Sequence, residues 1–195
     1  HSFPTRRSSD LTLREKQKRG SLLWVLDKTR TAMGARLLRS YVEQPLIDED
    51  EINARLDAVE ALTGQAMIRE EIREYLRPVY DLERLVGRIS YQSANPRDLI
   101  AFKSSLQMLP YIKQLLNSFA GGALAQIQED LDPLEDLYQL VDAAIVDDPP
   151  YLMRDGGMIK DGYNEMVDNY RHAKTEGKQW LSELEASERE KTGID

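Results

Sequence analysis

The chain has 195 residues, a length that fits one domain or one domain with an extended appendage. It has no cysteine, which excludes disulfides and cysteine-ligated zinc and favours a cytoplasmic location. The net charge of −8 argues against a surface that binds DNA by itself, because basic residues that neutralise phosphates carry most of such affinity. The apolar runs, such as 22–26, are too short to span a bilayer, so no membrane role is expected.

Residues 1–10 have neither an amphipathic period nor the apolar stretch of a secretory signal. We interpret them as a translated sequencing adapter or an artificial scar, disordered and outside the fold. The alternative is a native disordered basic tail. The folded part is therefore expected to begin at residue 11.

Most of the remaining chain shows the periodicity and the end signals of short helices, so we predict a mainly all-α fold with a helical-bundle core. Thr31, Asp48 or Asp50, and Asp81 are candidate N-caps. In Asn95-Pro96 and in Asp132-Pro133 a capping side chain comes directly before a proline. Proline is favoured at the first position of a helix, so each pair predicts the start of a helix. A short strand or hairpin is possible only near 21–26 and near 153–159.

From residue 163 the spacing is that of one long helix. Seven positions recur at alternating steps of four and three, which is coiled-coil spacing: Tyr163, Val167, Tyr170, Lys174, Gly177, Leu181 and Leu184. The five apolar ones among them, with Trp180 flanking the same stripe, are here called the seam: Tyr163, Val167, Tyr170, Trp180, Leu181 and Leu184. As one helix, residues 163–191 reach about 43 Å at 1.5 Å per residue. Such a helix must project from a domain of this size, and the seam then needs a partner. Gly156, Gly157 and Gly162 are predicted to form the turn before it.

A search for catalytic, metal and nucleotide sites predicts none in this chain. His172 has no second ligand at a suitable spacing, so it is interpreted as a solvated side chain. Gly157 and Gly162 have the separation of a phosphate-binding loop, but Tyr163 and Asn164 stand where that loop needs lysine and a hydroxyl residue. The chain is therefore predicted not to be an enzyme.

Several stretches, in their order and spacing, resemble the bacterial MutS family of DNA mismatch-repair proteins. They are 20–34, 36–39 with 44–46, 52–60, 81–89, 95–99, 154–163 and 184–194, the last containing Glu-Arg-Glu-Lys-Thr-Gly-Ile. The likeness runs from about residue 11 to the end of the sequence. It is closer to the mismatch-repair branch of the family than to the recombination-suppressing branch.

This resemblance implies that residues 11–162 are the first part of a helical core domain and that residues 163–195 are the ascending lever helix leading to a clamp. It also implies a structural and transmission role, coupling a DNA clamp to a distant ATPase that uses ATP and Mg²⁺. The implied partners are the rest of the parent chain (clamp, descending lever helix and ATPase domain), mismatched duplex DNA, a second copy of the parent, and MutL. The implied location is the bacterial cytoplasm, at the nucleoid. The alternative is a free-standing helical module that uses the long helix to bind a partner.

Overall fold

The computed structural model describes residues 19–192 of the chain. Over that range the regular structure is helical and no sheet forms, which confirms the predicted all-α class. The interpretation of residues 1–10 lies outside the described residues and stays a prediction.

Within residues 19–192 the helices are joined by short connections, except for a long segment, 145–164, before the last helix. They are α1 (Leu22–Leu26), α2 (Ala32–Glu43), α3 (Glu49–Gly64), α4 (Ala66–Leu76), α5 (Leu82–Ser90), α6 (Pro96–Leu106), α7 (Leu109–Leu116), α8 (Gly122–Asp130), α9 (Glu135–Ala144) and α10 (Glu165–Thr192), with a single 3₁₀ turn at Met153–Asp155.

Four helix starts form where capping side chains predict them. Thr31, Asp48, Asp81 and Asn95 each accept a hydrogen bond from the backbone N–H three residues later, which satisfies a donor that has no partner within the helix. At α6 the side chain of Asp98 also accepts from the backbone N–H of Asn95, completing a capping box.

Both stretches proposed as strands are wrong. Residues 22–26 form α1 instead, because Ser21 caps it by accepting from the Trp24 N–H and no neighbouring strand pairs with it. Residues 153–159 form no hairpin among themselves: they begin with the 3₁₀ turn, and Ile159 pairs with Ile145 in an isolated antiparallel bridge.

Two helix starts also differ from the prediction. Asp132 accepts from the backbone N–H of Leu134, a local turn that competes with helix formation, so α9 begins at Glu135 rather than at the proline. The long helix begins at Glu165 rather than at 163, because Asn164 accepts from the Val167 N–H.

The core consists of two adjoining clusters. The first lies among α3, α4, α7 and α8 and buries Ile112, Leu116, Phe119 and Leu124. The second lies among α5, α6 and α9 and buries Leu85, Phe102 and Leu106. The consecutive helices α6 and α7 join the two clusters.

Polar contacts fix the outer helices to these clusters. Arg36 on α2 donates to both carboxylate oxygens of Asp81 at 2.6 and 2.8 Å and also contacts Glu83. Arg88 on α5 donates to Asp98 on α6 at 2.8 Å. The first pair links α2, which has no buried residue of its own, to the start of α5, and the second reinforces the packing of α5 on α6.

Candidate functional site

The turn before α10 is built on glycine. Gly156, Gly157 and Gly162 have φ values of 72°, 73° and 80°, and a Cβ added at any of them would meet no atom within 4 Å. Gly156 combines its φ with a ψ of −171°, a region that is essentially restricted to glycine. The glycines are therefore required by backbone conformation and not by crowding.

The end of α9 and the segment leading to α10 are held side by side. The Val146 N–H donates to the carbonyl of Met158 at 3.0 Å, and the Lys160 N–H donates to the carbonyl of Ala144 at 2.8 Å. These two bonds flank the Ile145–Ile159 bridge, in which Ile145 is buried. The backbone at Ile159 is thus fixed to the end of α9, and residues 147–157 form the loop that connects the two paired segments.

Arg171, two turns into α10, connects the helix to that segment. Its Nη2 donates to the Ile159 carbonyl at 2.6 Å, and its Nη1 contacts carboxylate oxygens of Asp161 at 2.5 Å and Asp168 at 3.4 Å. Asp168 also accepts from the Gly162 N–H at 2.9 Å. We call these residues, Ile159, Asp161, Gly162, Asp168 and Arg171, the root cluster.

A second polar cluster ties the end of α9, next to the Ile145–Ile159 bridge, to α6. Lys103, whose side chain is only 11% exposed, donates to Asp142 at 3.0 Å and to Asp147 at 2.8 Å. Burial lowers the pKa of Lys103, but the hydrogen bonds to Asp147 and Asp142 outweigh it, and the net pKa lies above its ordinary value. The hydrogen bond from Lys103 in turn lowers the pKa of Asp147. Both pKa shifts favour the charged forms of Lys103 and Asp147, and the ion pairs hold the end of α9 against α6.

The seam is open to solvent along α10. Tyr170, Trp180 and Leu181 are 69%, 61% and 58% exposed, and Tyr163 and Leu184 are exposed as well. Only Val167 is half-buried, in a shallow groove that Met158 and Ile159 also line. Apolar side chains that follow one helical stripe in this way form a surface suited to another helix.

The sequence patterns described above do not predict the root cluster. The spacing of three residues between Asp168 and Arg171 is the one local signal of a contact between them. The contact with Ile159 depends on the bridge to Ile145, which no local pattern indicates.

The residues around Gly162 do not fit a nucleotide phosphate. The Gly162 N–H already donates to Asp168, so it is not available to a phosphate oxygen. The carboxylates of Asp161 and Asp168 together outweigh the one guanidinium of Arg171, so the net charge there is negative. Across residues 19–192, the side chains of His, Asp and Glu form no group of three or more placed to hold a metal ion. Nor does any helix in that part of the chain have the length and apolarity needed to cross a membrane.

The fold and the root cluster define an all-α domain from which one long helix projects with an open apolar stripe. Residues 4–193 match the family model MutS domain III. The chain is 62% identical over 192 residues to the DNA mismatch repair protein MutS of Lachnoclostridium phytofermentans, 54% over 192 residues to that of Ruminiclostridium cellulolyticum and 56% over 181 residues to that of Caldanaerobacter subterraneus subsp. tengcongensis.

Those alignments cover 97%, 97% and 93% of this chain but 21%, 22% and 21% of the relatives, so the chain spans about a fifth of the length of the curated relatives it matches. The chain belongs to the MutS family and corresponds to its domain III. This confirms the resemblance carried by the sequence motifs and places the chain in a DNA mismatch-repair family.

Proposed function

We propose that this domain is the transmission segment of a DNA mismatch-recognition ATPase, in which α10 couples a DNA clamp to a distant ATPase domain. The observation that carries the proposal is a helix of 28 residues, about 42 Å long, held at its root and exposing the seam beyond it. A rigid element that is fixed at one end can couple the binding free energies of two sites that do not contact each other.

The chemistry of the seam supports pairing with a different helix. Lys174 and Gly177 occupy two of its regularly spaced positions. A parallel pair of identical copies would place Lys174 against Lys174 and leave a void at Gly177, and both would weaken packing. A helix with a carboxylate opposite Lys174 and a large apolar side chain opposite Gly177 fits better. We propose that this partner is the descending lever helix of the same parent chain.

The other partners follow from the parent family. We propose that ATP and Mg²⁺ bind to the ATPase domain of the parent protein. In this proposal the helical domain formed by the present chain has no catalytic role of its own. Mismatched duplex DNA, a second copy of the parent and MutL are then partners of the whole protein. The proposed location is the bacterial cytoplasm, at the nucleoid.

The proposal is tested in a full-length hybrid, in which this chain replaces the matching segment of the Lachnoclostridium phytofermentans relative. Leu181→Glu places a charge in the seam, and Ser182→Glu places the same charge on the next, exposed residue as a matched control. The measurement is the ratio of ATP hydrolysis with mismatched duplex to hydrolysis without it. We expect Leu181→Glu to bring the ratio close to one and Ser182→Glu to leave it high. Equal ratios in the two variants would contradict a transmitting seam.

The second candidate is a free-standing helical module that binds a partner, or a second copy, through the seam. The exposure of Trp180 and Leu181 is the observation that favours it. Sedimentation of this chain over a concentration series separates the two functions. A dimer of defined mass that Leu181→Glu abolishes would favour the module, whereas a monomer or nonspecific association favours the transmission segment.

A further inference from the structure

The direction of α10 is not determined by the covalent connection alone. The connection passes through Gly162, where no atom lies within 4 Å of the position of a Cβ, so packing does not restrain that turn. The hydrogen bond from the Gly162 N–H goes to Asp168, which is part of α10 itself and not of the core. The Asn164 side chain caps α10 through the Val167 N–H, which fixes where the helix starts but not where it points. The direction must come from contacts made further along the helix.

Arg171 makes those contacts. The residue lies about 9 Å along the axis from the start of α10, at 1.5 Å per residue. Its two terminal nitrogens reach the Ile159 carbonyl, Asp161 and Asp168, and its side chain is 30% exposed. Because the guanidinium is planar and its donors have fixed directions, simultaneous contact with a carbonyl and two carboxylates restrains rotation as well as distance.

The Ile159 carbonyl is itself held to α9 through the bridge to Ile145. The path from α10 therefore runs through Arg171 and Ile159 into α9, and from α9 through Lys103 into α6. These links lead to the core cluster that buries Phe102 and Leu106, not to the cluster around Phe119.

We propose that Arg171 is the positioning residue that sets the direction of α10 relative to α9, through the carbonyl of Ile159. The consequence for DNA-dependent ATP hydrolysis rests on the proposed function. The restraint on direction does not rest on it, because it concerns only contacts within this chain.

The test measures distances between spin labels by pulsed electron paramagnetic resonance. The chain has no cysteine, so Ser182→Cys on α10 and Asp136→Cys on α9 give a unique labelled pair. A rotation of α10 by about 20° about its root would move Ser182 by roughly 9 Å, given about 26 Å of helix between Glu165 and Ser182. We expect one narrow distribution in the parent sequence and, with Arg171→Ala, a broadened distribution or one shifted by several ångström.

Arg189→Ala is the matched control, since Arg189 lies on the same helix and, within residues 19–192, forms its ion pair with Glu185 four residues away. A second labelled pair, Glu71→Cys with Asp136→Cys, reports whether the core stays intact. A distribution with Arg171→Ala as narrow as that of the parent, and centred at the same distance, would overturn the proposal.

Should Arg171→Ala alter the core pair, Arg171→Lys provides the test, because lysine keeps the charge and the aliphatic stem but cannot hold the Ile159 carbonyl and two carboxylates with fixed directions. We then expect a smaller broadening, and an unchanged distribution would again overturn the proposal. The distances between the labels are measured without DNA or nucleotide. A negative result would therefore contradict the positioning role of Arg171 and would not bear on the proposed transmission function.

Discussion

Asp81 combines an N-cap with an ion pair, and one substitution separates the two. Its carboxylate accepts from the backbone N–H of Arg84 at 3.3 Å and receives two hydrogen bonds from Arg36. The hydrogen bond from Arg36 is the main reason that the pKa of Asp81 falls from 3.8 to about 2, against an opposing effect of burial. Asp81→Asn keeps a good capping side chain but removes the charge.

The magnitude follows from the pKa. A difference of about two between the pKa of Asp81 in the folded and the unfolded state corresponds to at most ~2.5 kcal/mol of stability. Solvent screening reduces this to about 1 kcal/mol, because the Arg36 side chain is 40% exposed. The folded-state pKa is below the unfolded one, so this stability is fully present above about pH 5 and is lost as the pH falls toward 2.

The assay is urea unfolding followed by circular dichroism, from neutral pH down to about pH 2.5. We expect Asp81→Asn to lower the free energy of unfolding by about 1 kcal/mol at neutral pH and by progressively less in acid. Asp48→Asn is the control, since Asp48 caps α3 and no ion pair with it is found among the described residues. A loss of stability with Asp81→Asn that does not change with pH, or one equal to that of Asp48→Asn, would show that the ion pair with Arg36 does not stabilise the fold.

Five further substitutions test the fold by urea unfolding. Gly156→Ala is expected to cost about 1–3 kcal/mol from backbone strain alone, whereas Gly177→Ala, in mid-helix with open space around it, is expected to stabilise by about 0.4–1 kcal/mol. Leu106→Ala, at a side chain that is 1% exposed, should cost about 2–5 kcal/mol, and Ile47→Ala, at one that is 89% exposed, less than about 0.5 kcal/mol; similar costs would contradict the assigned core. Asn95→Ala should cost about 1 kcal/mol and speed hydrogen exchange in the first turn of α6; unchanged exchange would argue against the capping box.

The fold class and most helix starts could be predicted because their causes are local. Thr31, Asp48 and Asn95 act on N–H groups three residues away, so the residues that decide the outcome are visible in a short window. The prediction from the same short window was wrong at Asp132, because its side chain accepts a hydrogen bond from the Leu134 N–H, which competes with a helix start. It was also wrong at Ser21, where one capping side chain and five apolar residues produced a short helix instead of a strand.

The root cluster could not be predicted because its contacts depend on tertiary structure. Arg171 reaches Ile159 twelve residues back only because Ile159 is already paired with Ile145 on the far side of a loop. Charged residues on an exposed helix face are ordinarily solvated, so composition gave no reason to single out Arg171. The seam differs, since its periodicity is local and its exposure follows from the lack of a covering helix among residues 19–192.

If α10 couples two distant sites as a rigid helix, interrupting that helix in the middle should abolish the coupling. Lys178 is exposed in the middle of α10, and proline there removes a backbone hydrogen bond and clashes with the preceding turn. In the full-length hybrid, we expect Lys178→Pro to bring the ratio of DNA-stimulated to basal ATP hydrolysis close to one, while Lys178→Ala keeps the ratio of the parent. If Lys178→Pro hydrolyses ATP with the same dependence on mismatched DNA as Lys178→Ala, α10 does not carry the coupling.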